Sequence, residues 1–174
     1  SIKDESNTSL CLKSMAKRWI EVDDEISAIE VRLQTQAASE MALENIYRSA
    51  PGIGPVASRI LINELGDMSQ FKSEKALFSY TGLTPQEYSS GEHTRLGHIS
   101  RQGKPILRRL LVQAAWTAIK RDSHLNEVYE RIKVKAGAKR AIVAIARRLI
   151  GHIRACLKKN EEYDLKKLEK TSIA

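Results

Sequence analysis

Hydrophobic residues follow a heptad repeat near the start of the chain. The repeat is formed by Leu12, Met15, Trp19, Val22, Ile26, Ile29 and Leu33, alternately three and four residues apart. Charged residues fill the positions between them, as on the solvent-facing side of a coiled coil. The pattern predicts a coiled-coil arm over residues 1–43, paired with a second subunit or with a segment preceding Ser1.

A second pattern covers residues 44–67, where two short helical repeats are separated by Pro51-Gly52-Ile53-Gly54-Pro55. This arrangement resembles the helix-hairpin-helix module. Gly52 and Gly54 tolerate positive φ and leave backbone N–H groups uncovered at the start of the next helix, where a phosphate can dock. The alternative is a tight turn between helices without a ligand.

The chain then changes from helical to loop-like composition. Ser73 is placed to cap a short helix that ends at Gly82 and Pro85. Residues 84–100 contain Gly91 and Gly97 and almost no apolar side chains, so we expect a loop without regular structure, which at this length is commonly functional.

Two amphipathic basic helices follow. The first has an apolar stripe of Leu107, Leu110, Leu111, Ala114, Ala115, Ala118 and Ile119, and the second has Ile142, Ile145, Ala146, Leu149, Ile150 and Ile153. With the preceding elements they predict an all-α protein. It comprises the arm, the hairpin module, a helical domain over residues 68–160 with a serine-bearing loop at 84–100, and a mixed-charge tail at 161–174 that we expect to fray.

The charge distribution points to a polyanionic partner. Net charge is +8 over 174 residues, but residues 1–50 carry nine acids and six bases, so residues 51–174 carry +11. The stretches 93–121 and 131–159 contain no acid, whereas a merely solvated helix mixes both signs. Arg140, Arg147 and Arg154 recur every seven residues along one flank. Nucleic acid is the favoured partner.

Other classes of protein are disfavoured. The longest apolar run, residues 141–146, is too short for a membrane span, and two distant cysteines give neither a disulfide framework nor metal-ligand spacing. We therefore expect a soluble, cytoplasmic protein without a membrane partner. No pattern of Asp, Glu or His resembles a two-metal nuclease site, so no metal ligand or cofactor is assigned in this chain.

The loop offers hydroxyl groups for nucleophilic chemistry. Tyr88, Ser89 and Ser90 precede Gly91, and sequence position alone does not separate the two serines. The neighbouring cations that could hold or neutralise a phosphoryl group are Arg95, Arg101, Lys104, Arg108 and Arg109.

The order PGIGP, ELGD, FKS, GLTP, SSG, RLGHISRQG and LRRLL, from Pro51 to Leu111, resembles the C-terminal half of the IS110-type insertion-sequence transposases (relatives of IS116 and IS902). The resemblance implies a recombinase guided by a structured bridge RNA. It also implies that Ser90, directly before glycine, is the nucleophile, with Ser89 as the adjacent alternative. In that family the serine works with a ribonuclease-H-like N-terminal domain that has four metal-binding acids. We expect Mg²⁺ to come with that domain, which this chain lacks.

These features favour the DNA-binding, serine-bearing portion of a transposase, which cleaves and rejoins strands, is inactive alone and assembles as a homo-oligomer. The alternative is a non-catalytic helix-hairpin-helix module that binds nucleic acid. A third hypothesis is a coiled-coil assembly protein whose basic half only aids solubility.

Overall fold

The computed structural model describes residues 2–38, 40–90, 93–100 and 102–164. These residues form helices α1 (Ile2–Ala38), α2 (Met41–Ser49), α3 (Pro55–Leu65), α4 (Glu74–Thr81), α5 (Pro105–Arg121), α6 (Ser123–Ala136) and α7 (Ala138–Lys159), and strands β1 (Pro85–Ser90) and β2 (His93–Ile99). The fold is essentially all-α, with one two-stranded sheet, which confirms the predicted class.

Helix α1 belongs to a compact unit of its own, residues 1–41. It is one continuous helix of 37 residues. Six residues of the heptad repeat, Leu12 to Ile29, are exposed, and Trp19 is 78% accessible. The helix is therefore as the pattern predicts, while its pairing in a coiled coil stays a prediction.

The second unit, residues 42–174, has its core where α5, α6 and α7 pack together. All six residues of the α7 apolar stripe are buried, as the 3.6-residue period predicts. The buried side of α5 includes Ala114, Ala115 and Ala118, whose small side chains let neighbouring backbone approach closely. No helix in the described ranges is both long enough and apolar enough to cross a membrane.

Residues 84–100 differ from the expected structureless loop, because most of them form a β-hairpin. Strand β1 pairs antiparallel with β2, placing Tyr88 opposite Arg95, Ser89 opposite Thr94 and Ser90 opposite His93. The sequence does not predict this hairpin, because its side chains are mostly polar and show no alternation of apolar and polar residues. Main-chain hydrogen bonds define the two strands instead.

The start of the C-terminal tail also differs from expectation. Tyr163 is buried, and its hydroxyl donates to Asp122 Oδ2 at 2.9 Å. Its backbone N–H donates to Ser49 Oγ at 2.8 Å. Asp122 meanwhile caps α6, accepting the Leu125 N–H at 3.0 Å. Burial, and secondly the Asp122 charge, raise the pKa of Tyr163, so the hydroxyl keeps its proton and donates. Tyr163 thus ties the tail to α2 and to the α5–α6 junction.

Replacing Tyr163 with Phe should leave a buried carboxylate oxygen of Asp122 without its donor. We expect the free energy of unfolding in urea to fall by about 1–3 kcal/mol. Tyr129→Phe is a matched control, because this buried ring packs edge-on against Trp116 and keeps that contact as Phe. Its effect should stay below about 1 kcal/mol. Equal stability of the Tyr163→Phe and wild-type chains would contradict a stabilising role for the hydrogen bond between Tyr163 and Asp122.

Candidate nucleic-acid interface

The candidate serines lie on β1, near the end of the hairpin away from the helices. Ser90 is the last residue of β1 and pairs with His93, while Gly91 and Glu92 lie outside the described residues. Of the expected cations, Arg95 lies on β2 opposite Tyr88, and Arg101 also falls outside the described residues. The backbone therefore brings Ser89, Ser90 and Arg95 into one short sheet.

The base of the hairpin is held by close backbone contact. Gly82 ends α4 in the left-handed conformation, with φ +68°. A Cβ atom on Gly103 would lie 2.2 Å from the Gly82 nitrogen and 2.4 Å from the Tyr80 carbonyl oxygen. The Lys104 N–H donates to that same Tyr80 oxygen at 3.0 Å, and the Ser100 N–H donates to Thr84 at 2.8 Å. These contacts hold the segments that enter and leave the hairpin against α4 and the start of α5.

Arg108 is an expected cation that the structure places at this base. Its Nη1 lies 2.6 Å from where a Gly82 Cβ would be, so the glycine makes room for the guanidinium. The same nitrogen is buried and lacks a hydrogen-bond partner among the described residues. A buried donor without an acceptor is unusual, and no described carboxylate forms an ion pair with this guanidinium, so Arg108 stays a candidate for binding an anion. Arg109, one residue on, is exposed.

Lys104 has a different role from the one expected. Its ammonium donates to Glu64 Oε2 at 2.6 Å and lies 5.8 Å from the centre of the Tyr80 ring. The hydrogen bond to Glu64 raises the pKa of Lys104. This cation therefore already has a carboxylate partner that links α5 to α3, and it is a weaker candidate for phosphate than Arg108.

The two glycines in the connection between α2 and α3 have different environments. Gly52 has φ +86°, and a Cβ atom there would lie 2.5 Å from the Ala114 carbonyl oxygen and 3.0 Å from the Thr117 Cβ. Gly52 is therefore the point where the connection packs against α5. Gly54, by contrast, has extended backbone and open space around it. Only Gly54 fits the expectation of uncovered backbone at the start of α3.

A cavity of about 370 Å³ opens at this connection. It is lined by the backbone around Gly52 and Gly54 together with Arg48, Thr117 and Arg121. The two arginines are absent from the set predicted from sequence. Arg121 belongs to the acid-free stretch, but Arg48 lies in the acidic part of the chain, where no charge pattern identifies it.

The regularly spaced arginines of α7 do not share one environment. Arg140 is exposed. Arg147 lies over the Phe78 ring, with its guanidinium carbon 4.7 Å from the ring centre. Arg154 is only 7% accessible and donates to the Phe71 carbonyl oxygen at 2.5 Å. The expectation of a continuous cationic flank is therefore corrected, because Arg154 is engaged inside the protein. A phosphate contact stays a prediction for Arg140 and Arg147.

Within the described ranges, no three His, Cys, Asp or Glu side chains come together in a way that could hold a metal ion. The donors described in this chain do not fit a Mg²⁺ site, and no chemical step can be assigned through one here.

Comparison with known proteins gives matches across much of the second unit. The Transposase IS116/IS110/IS902 family matches residues 44–130, which include most of α2, then α3, α4, the hairpin and α5, and the first half of α6. The transposase for insertion sequence element IS1328 of Yersinia enterocolitica is 36% identical over 92 residues, covering 53% of this chain and 27% of that protein.

Two further relatives extend the match. The transposase for insertion sequence element IS1111A of Coxiella burnetii is 30% identical, covering 81% of this chain and 40% of that protein. The pilin gene-inverting protein of Moraxella bovis is 30% identical, covering 69% of this chain and 38% of its own length. The chain thus spans well under half the length of these relatives.

The packing at Gly52 can be tested directly. Gly52→Ala combines a positive φ with a clash against α5, so we expect a loss of about 2–4 kcal/mol in the free energy of unfolding. Gly54→Ser is the control: its site is open and serine is a favoured N-cap, so stability should be unchanged or slightly higher. Equal urea midpoints for the two variants would contradict the separate roles.

Proposed function

The chain belongs to the IS116/IS110/IS902 transposase family, and from this premise we propose that it is the nucleic-acid-binding, nucleophile-bearing portion of a DNA transposase. The observation that carries the proposal is the hairpin, which presents Ser90 from a base packed against α4 and α5. The matched range, residues 44–130, contains both the hairpin and Arg108 at its base.

In the proposed reaction, the Ser90 hydroxyl attacks a phosphorus atom of the DNA backbone. A new Oγ–P bond forms and the bond to one deoxyribose oxygen breaks. The serine proton leaves to a base, and the displaced oxygen gains a proton. When the reaction runs in reverse with a different strand end, the DNA is rejoined without an external energy source, because the phosphoserine ester retains the energy of the broken phosphodiester bond.

Cations on the hairpin and at its base are proposed to support this reaction electrostatically. Charge builds on the non-bridging oxygens of the transition state, and Arg95 on β2, two residues from the strand partner of Ser90, is the proposed cation that stabilises it. Arg108 lies at the base of the hairpin, roughly 20 Å of strand from Ser90, so its proposed role is to hold neighbouring DNA backbone. Arg101 and Arg109 complete the proposed cationic surroundings.

Other components of the activity are proposed to lie outside these 174 residues. A separate acidic domain would hold Mg²⁺, and a structured guide RNA would select the DNA site. The acid-free stretches 93–121 and 131–159 support binding to both nucleic acids. The 3-4 repeat exposed on α1 supports assembly of a homo-oligomer through a coiled coil.

The second candidate is a nucleic-acid-binding module without catalysis. The open backbone at Gly54 and the polar cavity beside it favour that function independently of the serine. The two candidates differ in one respect, since only the first requires the Ser90 hydroxyl.

Ser90→Ala in the full-length protein should reduce covalent protein–DNA adducts and strand exchange by roughly three orders of magnitude or more. DNA affinity should change by less than about twofold, because no charge is lost. Adducts would be measured on denaturing gels with labelled DNA. Ser89→Ala is the control and should retain adduct formation. Undiminished adducts in Ser90→Ala would exclude the assignment.

Ile26→Lys should disrupt assembly, because a charge in the heptad seam opposes burial of that seam. Sedimentation equilibrium should show a dimer or a higher oligomer for the wild-type chain. For Ile26→Lys, the dissociation constant of that oligomer should rise by at least about tenfold. Val31→Lys places the same charge on the outer side of α1 and should assemble normally. Monomeric wild-type chain at high concentration would contradict the proposal.

A further inference from the structure

The cavity at the α2–α3 connection brings together two arginines from separate parts of the chain. Arg48 comes from the last turn of α2 and Arg121 from the last turn of α5. We propose that this cavity is a clamp for one phosphodiester group of a nucleic-acid backbone, with Arg48 and Arg121 as its cationic ligands. The inference rests on the proposed function and adds residues that no sequence motif indicates.

Arg121 is available for such a ligand. Its side chain is exposed, and among the residues described it makes no ion pair. The adjacent carboxylate, Asp122, is buried and is occupied by the Leu125 N–H and the Tyr163 hydroxyl. Each oxygen of the neighbouring acid therefore accepts a hydrogen bond from a group other than Arg121.

Arg48 is only weakly engaged. Its Nη1 lies 3.9 Å from Glu44 Oε1, at the limit of an ion pair, and the side chain is half exposed. The Glu44 carboxylate is shared with Arg59 at 3.5 Å and with the Ser58 hydroxyl at 3.3 Å. Two arginines thus share one buried acid, and Arg121 adds a further positive charge to the cavity lining, which leaves a net positive charge there and favours an anion.

The rest of the cavity wall suits a phosphate. Thr117 lines it from α5, and Gly54 has no side chain to cap α3, so the first turn of that helix has no side-chain cap from its N-cap residue. The close packing of Gly52 against Ala114 and Thr117 holds the connection against α5 and so sets the spacing between the two arginines. A planar guanidinium on each side matches the tetrahedral oxygens of a phosphodiester better than a single contact would.

The experiment measures binding of the full chain to a labelled DNA duplex and to a labelled single-stranded RNA over a salt series. Arg48→Gln and Arg121→Gln, combined, should weaken binding on the order of tenfold at low salt and lower the slope of log affinity against log salt by about 1. Lys75→Gln is the matched control, because it removes one exposed cation on α4 that does not line the cavity. It should change affinity by less than about twofold.

The outcomes separate the clamp from the wider proposal. Loss in the DNA arm alone, the RNA arm alone or both identifies which backbone occupies the cavity, and each supports the clamp. If the wild-type chain binds but the double variant behaves like Lys75→Gln, the clamp is wrong while the proposed function stands. If the wild-type chain binds neither nucleic acid, both are wrong. Thermal unfolding measurements verify that each variant folds. If loss of Arg48 disturbs the Arg59–Glu44 ion pair and unfolds the chain, the single variant Arg121→Gln tests the clamp.

Discussion

Close backbone contact at glycines determines where the connections of the helical unit lie. Gly52 meets the α5 backbone at Ala114, and Gly103 meets Gly82 before α5 begins. Any Cβ atom at Gly52 or Gly103 would overlap main-chain atoms, which cannot move without shifting a helix. One contact positions the cavity and the other positions the hairpin. Both candidate functional features therefore depend on the absence of a side chain at a few positions.

A basic chain does not present all its cations to solvent. Arg154 donates to a backbone carbonyl, Arg147 lies over an aromatic ring and Lys104 holds Glu64. Each such contact uses a cation to join two parts of the chain, and the acceptor or the ring stabilises part of the cationic group. The net charge of the second unit consequently overstates the field that a nucleic acid would meet. The cations that matter for binding are those, such as Arg121, that no carboxylate pairs with among the described residues.

The all-α fold was predictable because burial of apolar side chains leaves a periodic trace. The α7 stripe is buried at every predicted position, and Ser73 caps α4 by accepting the Ala76 N–H as its position suggests. The hairpin was not predictable, since main-chain pairing leaves no such trace in polar residues. Likewise, the seven-residue spacing of Arg154 could not reveal a backbone acceptor 83 residues away in the chain. Arg48 and Arg121 line one cavity because Gly52 packs against α5, a contact that sequence periodicity does not encode.

The helical geometry of α5 constrains how a nucleic acid could use both features. Arg108 contacts the hairpin base, and Thr117, nine residues later, lines the cavity. Nine residues correspond to about two and a half turns, so the two side chains leave α5 on roughly opposite sides. One straight stretch of backbone does not reach both. If the proposed function holds, the hairpin and the cavity therefore bind separate strands, or one nucleic acid that bends around α5. In either case α5 sets the distance between the strand that is cut at the hairpin and the strand that is bound at the cavity.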